Sequence, residues 1–291
     1  MTLQQPQTAP NFVELQQGVY RDAKMRILVI GNGESREWFK PCHQMMDNDV
    51  VTWGCNALYR DGSVDNLVAV DYGMQQEIYS SGYPLAHTCW FADWNVLPSQ
   101  AAEMMLMTSD APQDFIHQNK PHTEHCVIQG KDPITLQEKI DDIKKKFPNL
   151  RHDDLKMKLE KDVGIWITWV REHDMVMPVE EPKGWSAGNT ALSLACSQAG
   201  SGIPIEVYIL GYDLSSYDKD LNNIYKGTDN YLPATAKGFN PINWITQMEK
   251  VFDKYKVIDF YWVDRQFDEK IQFNNVKDLT KTELCDILHI I

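Results

Sequence analysis

Positive charge is in short supply: 28 Lys and Arg stand against 41 Asp and Glu, a formal net charge of −13. Such a surface repels polyanions at long range, which argues against general nucleic-acid binding and against docking on anionic membranes. No apolar run reaches the roughly 18 residues of a membrane-spanning helix. Met1–Pro10 is rich in Gln and Pro and lacks an apolar centre, so it reads as a loose arm and not as a signal peptide. Cys42, Cys55, Cys89, Cys126, Cys196 and Cys285 include no C-x-x-C pair and no disulfide-framework spacing. They sit mostly in apolar or small-residue runs, where Cys acts as a small hydrophobe, and the expectation is a reducing cytoplasm. The dinucleotide fingerprint G-x-G-x-x-G is also missing, because Arg36 stands where its third glycine would be, and there is no P-loop.

What is present is an ordinary globular chain. The hydrophobic fraction, 43%, leaves no part of the body to be read as disordered. A chain of 291 residues suits one large domain or two modest ones.

Short apolar runs closed by a Gly or polar residue recur along it. Met25–Ile30, Val50–Gly54, Leu67–Asp71, Ile205–Leu210 and Val257–Val263 read as strands, several of them buried on both faces. Helical patterns stand between or after them: Arg36–Met46, Ser186–Ala199 with Ala187, Ala191, Ala195 and Ala199 in one stripe, and a helix opened by Asn240 and Pro241. The fold class expected is α/β: a Rossmann-like wound, mostly parallel sheet with helices on both faces. Between residues 84 and 183 the pattern loosens, with strands at His87–Ala92, Cys126–Gln129 and Ile165–Val170. The same stretch has helices at Ser99–Met107, Ile134–Phe147 and Arg151–Asp162. The organisation expected is a flexible arm over 1–20, a nucleotide-binding core over 21–83 and 184–291, and an inserted α-rich lid or subdomain over 84–183. Asp278–Ile291 reads as a closing helix.

In an open parallel sheet, ligands bind beyond the carboxyl ends of the strands. Gly31-Asn32-Gly33 and Ser35 follow the first strand, Asn56 follows the second, Asp71 ends the third, and Asp213 lies just past Ile205–Leu210. Glycines let a backbone approach a phosphate, and a helix start offers free N–H groups. Ser186 and Gly188, at the start of the alanine-striped helix, form a second phosphate candidate. The amide of Asn56 suits a base or sugar, and the carboxylates of Asp71 and Asp213 suit ribose hydroxyls, proton transfer or a metal. Each also has a plainer reading as a turn or cap residue. His117, His122, His125 and Cys126 are zinc-ligand types, but their spacing matches no metal signature, and they read as loop residues without a metal.

The order GNGES (31–35), WGCNALYRD (53–61), SAGNTALSLACSQAG (186–200) and VYILGYDLSS (207–216) resembles bacterial sialyltransferases of the Campylobacter lipooligosaccharide type. It is equally similar to the related Rossmann-like group that includes archaeal hydroxymethylpterin pyrophosphokinase. The sialyltransferase resemblance implies that Asn32 and Asn56 contact a cytidine nucleotide, that Ser186 and Gly188 lie near its phosphate or ribose, and that Asp213 lies near its ribose or base; Gly31, Gly33 and Ser35 join them as nucleotide-binding candidates from the turn itself. It also implies that Tyr217 or Tyr225 stabilises the departing phosphate, without a metal. The chain departs from that pattern in having no histidine between His173 and His289, where those enzymes carry a catalytic base, and in having Glu34 where Pro is common.

Three readings follow. The first is a nucleotide-dependent transferase of the glycosyltransferase type, with a CMP-sugar donor, a small-molecule or glycan acceptor and no required cofactor, and with Tyr217, Tyr225 and Asp71 as catalytic candidates. The second is a pyrophosphokinase with Mg²⁺ at Asp71 and Asp213. The third is a nucleotide-binding protein without catalysis.

Overall fold

The computed structural model describes residues 24–41, 49–92, 94–95, 116–117, 127–131, 133–152, 155, 165–169, 173–198, 203–214, 219–265 and 273–290. Its centre is one eight-stranded sheet, parallel throughout. The chain begins in the middle of that sheet with β1 (Met25–Ile30) and steps outward through β2 (Val50–Cys55), β3 (Asn66–Ala69) and β4 (Thr88–Phe91). Four short strands then form a second sheet: β5 (Trp94–Asn95), β6 (Ile116–His117), β7 (Val127–Lys131) and β8 (Ile165–Trp169). β9 (Val176–Pro178) returns to the main sheet as its edge beside β4. The chain then crosses to the other side of β1 and adds β10 (Ile205–Leu210), β11 (Asp259–Val263) and β12 (Val276–Leu279) in turn. The order reverses between β1 and β10, which is the switch point of a doubly wound sheet.

The wound parallel sheet is the fold class the sequence predicts. Between residues 84 and 183, β4 and β9 belong to the main sheet, and the described residues between them hold the second sheet and the helix α2 (Pro133–Lys146). The expected helix Ser99–Met107 and most of Arg151–Asp162 lie outside the described residues.

Helices cover both faces because each central strand is apolar on both sides. Leu28 and Ile30 of β1 point to one face, where Met74 and Ile78 of α1 (Tyr72–Ser80) and Leu284 and Leu288 of α5 (Lys281–Leu288) pack. Ile27 and Val29 point to the other, against α3 (Ala187–Gln198) and α4 (Ile242–Lys254). Burying one such side chain contributes about 1.5–3 kcal/mol, so both layers are needed to hold the sheet. In α3 the buried Ala191 and Ala195 let the helix lie close over β1, β2 and β3. α3 runs antiparallel to the strands it precedes, so its first turn lies at their carboxyl ends. α5 opens with a reciprocal cap between Thr280 and Glu283.

One expected helix is not there as written. After β1 the chain makes only a 3₁₀ turn over Glu34–Arg36. Arg36 turns inward, 1% exposed, and its Nε donates to Gly31 O at 2.6 Å. That bond folds the segment back onto the strand it has just left. Residues 42–48, the rest of the expected helix, lie outside the described residues.

Candidate functional site

The carboxyl edge of the sheet is built from a glycine turn and the strand end that fills it. β1 and β10 are neighbours, so Gly31-Asn32-Gly33 lies beside Gly211-Tyr212-Asp213. Gly31 N–H donates to Leu210 O and Gly33 N–H to Gly211 O, both at 2.8 Å. A Cβ on Gly31 would strike the Gly211 carbonyl first and the Tyr212 ring next, and a Cβ on Gly33 would meet Asp213 Cγ at 2.5 Å. Tyr212 also donates its hydroxyl to Gly188 O at 2.5 Å, so its ring bridges β1 and the first turn of α3. The glycines at 31 and 33 thus leave room for the Gly211-Tyr212-Asp213 segment of the same chain.

Asp213 acts at this turn as an internal anion. Its Oδ2 accepts Ser35 N–H at 2.6 Å, and its Oδ1 accepts the Ser35 hydroxyl. Burial raises its pKa above the ordinary carboxylate value, against the pull of the Ser35 bonds. Glu34 N–H is taken by Asn222 Oδ1 at 2.7 Å, and the Glu34 carboxylate pairs with Lys226.

Beside the turn lies a second group of residues. Asn32 is buried and fully engaged: Nδ2 donates to Cys55 O and to Tyr231 Oη, each at 3.2 Å, and Oδ1 accepts from Arg36 Nη2 at 3.3 Å. The Tyr231 oxygen also accepts Ala57 N–H at 3.3 Å. Burial pushes the Tyr231 phenol up, and the nearby Asp71 charge adds to this. Burial likewise pushes the Cys55 thiol up to about 12, which leaves it a neutral packing group.

Asn56 begins the turn after β2 in the left-handed region, φ 50°, which Asn tolerates better than most residues. Its Oδ1 is buried without a partner among the described residues.

The first turn of α3 completes the edge. Ser186 Oγ accepts Asn189 N–H at 3.4 Å, and Ser186 N–H and Oγ both reach Gln247 Oε1 of α4. Asn189 Nδ2 donates to Trp244 O and Gln247 Oε1, both at 3.0 Å. Those two acceptors fix the amide orientation and leave Asn189 Oδ1 buried and unpartnered among the described residues. The Thr190 hydroxyl, 0% exposed, is in the same state. Buried polar atoms normally find a partner, so Asn56 Oδ1, Asn189 Oδ1 and Thr190 Oγ1 stand out among the described residues.

Of the residues singled out from the sequence, Gly31, Gly33, Ser35, Gly188 and Asp213 are joined through Tyr212 and the Ser35–Asp213 bonds. Asn32 and Asn56 flank the ends of β1 and β2, Asp71 is exposed at the end of β3, and Ser186 faces α4. The Tyr225 hydroxyl is engaged on both sides: it accepts from Arg36 Nη2 at 2.8 Å and donates to Asp61 Oδ2 at 2.6 Å. Tyr217 lies outside the described residues, as do His122, His125 and Cys126. No cluster of three or more His, Cys, Asp or Glu suited to a metal occurs among the described residues. No described helix is long and apolar enough to cross a membrane.

Sequence reasoning gave no separate role to Tyr212, Asn189 or Thr190, and saw Tyr231 only as one of the loop groups, with Tyr225, Asp229 and Lys237, standing where a histidine is missing. A signal existed for Asn189 and Thr190, which lie inside the motif at 186–200. Nothing local shows that Tyr231 meets Asn32, which is 199 residues away. Compared with family models, with curated proteins and with solved structures, the chain matches none.

Proposed function

We propose that the protein is a nucleotide-dependent transferase of the glycosyltransferase type, taking a CMP-sugar class of donor at the carboxyl edge of its parallel sheet. The observation that carries this reading is the set of buried, unpartnered polar atoms there: Asn56 Oδ1, Asn189 Oδ1 and Thr190 Oγ1. The two amide oxygens accept only, so they ask for a ligand rich in O–H or N–H donors, as ribose and an amino-bearing base are. The start of α3 supplies the complementary charge. The first four N–H groups of a helix have no intrahelical acceptor, and the helix dipole favours an anion there. Asn189 N–H and Thr190 N–H are already taken by Ser186, which leaves those of Ala187 and Gly188 for a phosphate. In this reading Asn56 and the backbone N–H groups of Ala187 and Gly188 touch the nucleotide, Ser186 holds the helix start against α4, and a small-molecule or glycan acceptor enters from the Asp71 side.

Thermal shift with CMP, with and without Mg²⁺, tests the reading. At a hundredfold excess over Kd, binding to the folded state adds about 2.7 kcal/mol, which is a rise in Tm of roughly 4–5 °C for a chain of this size. A rise with CMP that does not need Mg²⁺ is the expected result. No rise with any nucleotide would sink the reading.

The absence of a histidine between His173 and His289 favours a second reading, nucleotide binding without catalysis. Binding of CMP with no transfer or hydrolysis of a CMP-sugar would select it. The Mg²⁺-dependent pyrophosphokinase reading draws on Asp71 and Asp213 together, and the Asp213 carboxylate is already engaged by Ser35 at both oxygens.

A further inference from the structure

Two tyrosines of the 219–240 loop lie with ring centroids 5.5 Å apart, yet their hydroxyls are in opposite states. The Tyr225 hydroxyl is a closed circuit, accepting from Arg36 and donating to Asp61. The state of Tyr231 follows from donor counting that starts at the same arginine. A guanidinium can only donate. Arg36 Nη2 therefore fixes Asn32 Oδ1 as the acceptor and turns Asn32 Nδ2 toward Cys55 O and Tyr231 Oη. Ala57 N–H reaches the same phenol oxygen. Two donors fill the acceptor capacity of that oxygen, and what remains is its proton, for which no acceptor occurs among the described residues. Burial keeps the phenol neutral, so the proton stays on it. The anchor of this hydroxyl, Ala57, directly follows Asn56, whose Oδ1 is itself unpartnered.

We propose that Tyr231 is a donor-only hydroxyl that hydrogen-bonds an acceptor oxygen of the bound nucleotide, and that Asn32 and Arg36 are positioning residues acting through it. This rests on the nucleotide reading above. It also changes the role of Asn32, whose amide is spent inside the protein and reaches the ligand only by way of the phenol.

Calorimetric titration with CMP tests the proposal on the full chain, wild type against Tyr231→Phe, Asn32→Ala and a variant carrying a more acidic fluorotyrosine at 231. Losing one hydrogen bond to an anionic ligand lowers affinity by about tenfold or more, and this is expected for Tyr231→Phe. Asn32→Ala is expected to weaken binding as well, with no contact of its own to CMP. The fluorotyrosine decides the direction of the bond: a more acidic phenol donates better, so affinity rises several-fold if Tyr231 is a donor and falls if it accepts. It keeps the shape of tyrosine, so it reports even if Tyr231→Phe does not fold. A wild type that binds CMP alongside a Tyr231→Phe protein that folds and binds equally well, or a fluorotyrosine that weakens binding, overturns the proposal and leaves the nucleotide reading standing. A wild type that does not bind CMP overturns both.

Discussion

Asp213 takes both hydrogens that Ser35 offers, the backbone N–H at 2.6 Å and the hydroxyl, and so seats a carboxylate against the turn after the first strand. Burial raises the folded pKa of Asp213 above the ordinary aspartate value. The folded protein therefore holds this proton more tightly than the unfolded chain does. The stability Asp213 contributes through protonation is fully present below about pH 3.9, the ordinary aspartate value. It is lost as pH rises through the higher folded pKa, and the curve is flat beyond. Asp213→Asn removes that slope and costs about 1 kcal/mol at neutral pH through one poorly matched donor. Urea unfolding of both proteins at a series of acidic pH values checks this. Parallel stability curves for wild type and variant would show that Asp213 does not titrate in the expected sense.

The two glycine positions in contact with the Tyr212–Asp213 segment should respond oppositely to alanine. At Gly33 a Cβ would stand 2.5 Å from Asp213 Cγ, closer than real atoms approach, and Gly33→Ala is expected to cost about 1–3 kcal/mol. At Gly188 the nearest atom is the Tyr212 hydroxyl oxygen at 3.5 Å, an ordinary contact, and the residue is in a helix. Gly188→Ala is expected to be neutral or to stabilise by up to about 1 kcal/mol. Shortening Asp213 to Ala in the Gly33→Ala background should recover part of the loss, because it removes the atom that is struck. Denaturant midpoints for the three variants read all of this. Equal losses at both glycines would mean that the close fit to Tyr212 and Asp213 is not what selects them.

That contrast also marks what could be read in advance. Met25–Ile30 and Ile205–Leu210 are legible to the residue, because strands covered on both faces have no polar alternation to blur their ends. The switch point follows from them, since the segments that flank it announce themselves as strands. The glycine turn is legible as a place, and only part of the reason for its glycines is. Glycine before a helix start suggests phosphate, and the sequence does not show that the Cβ positions are also closed by Gly211, Tyr212 and Asp213, about 180 residues downstream. Arg36 shows the same limit. Its local pattern reads as the opening of a helix, and its fate is set by Gly31 O, Asn32, Asp61 and Tyr225 converging on one guanidinium. Roles that depend on side chains meeting across the sheet edge leave no periodicity to find.

Thr190 separates a residue kept for packing from one kept for a ligand. It is fully buried in the first turn of α3 with an unpartnered hydroxyl, and valine has nearly the same shape. An unsatisfied buried hydroxyl carries a desolvation penalty of about 1–3 kcal/mol, so replacing it with a methyl group should relieve part of that. Both residues are β-branched, so helix propensity changes little. Thr190→Val is therefore expected to raise stability by about 1 kcal/mol, or Tm by roughly 2–4 °C. If the hydroxyl is held open for the nucleotide, the same variant should bind CMP more weakly than wild type. A protein that becomes more stable and less able to bind has given up a functional group for a packing one, the trade expected of a binding site. Thermal melts with and without CMP read both effects in one experiment. A Thr190→Val protein that melts below wild type would show that water or another group already satisfies the hydroxyl, and would take Thr190 out of the candidate site.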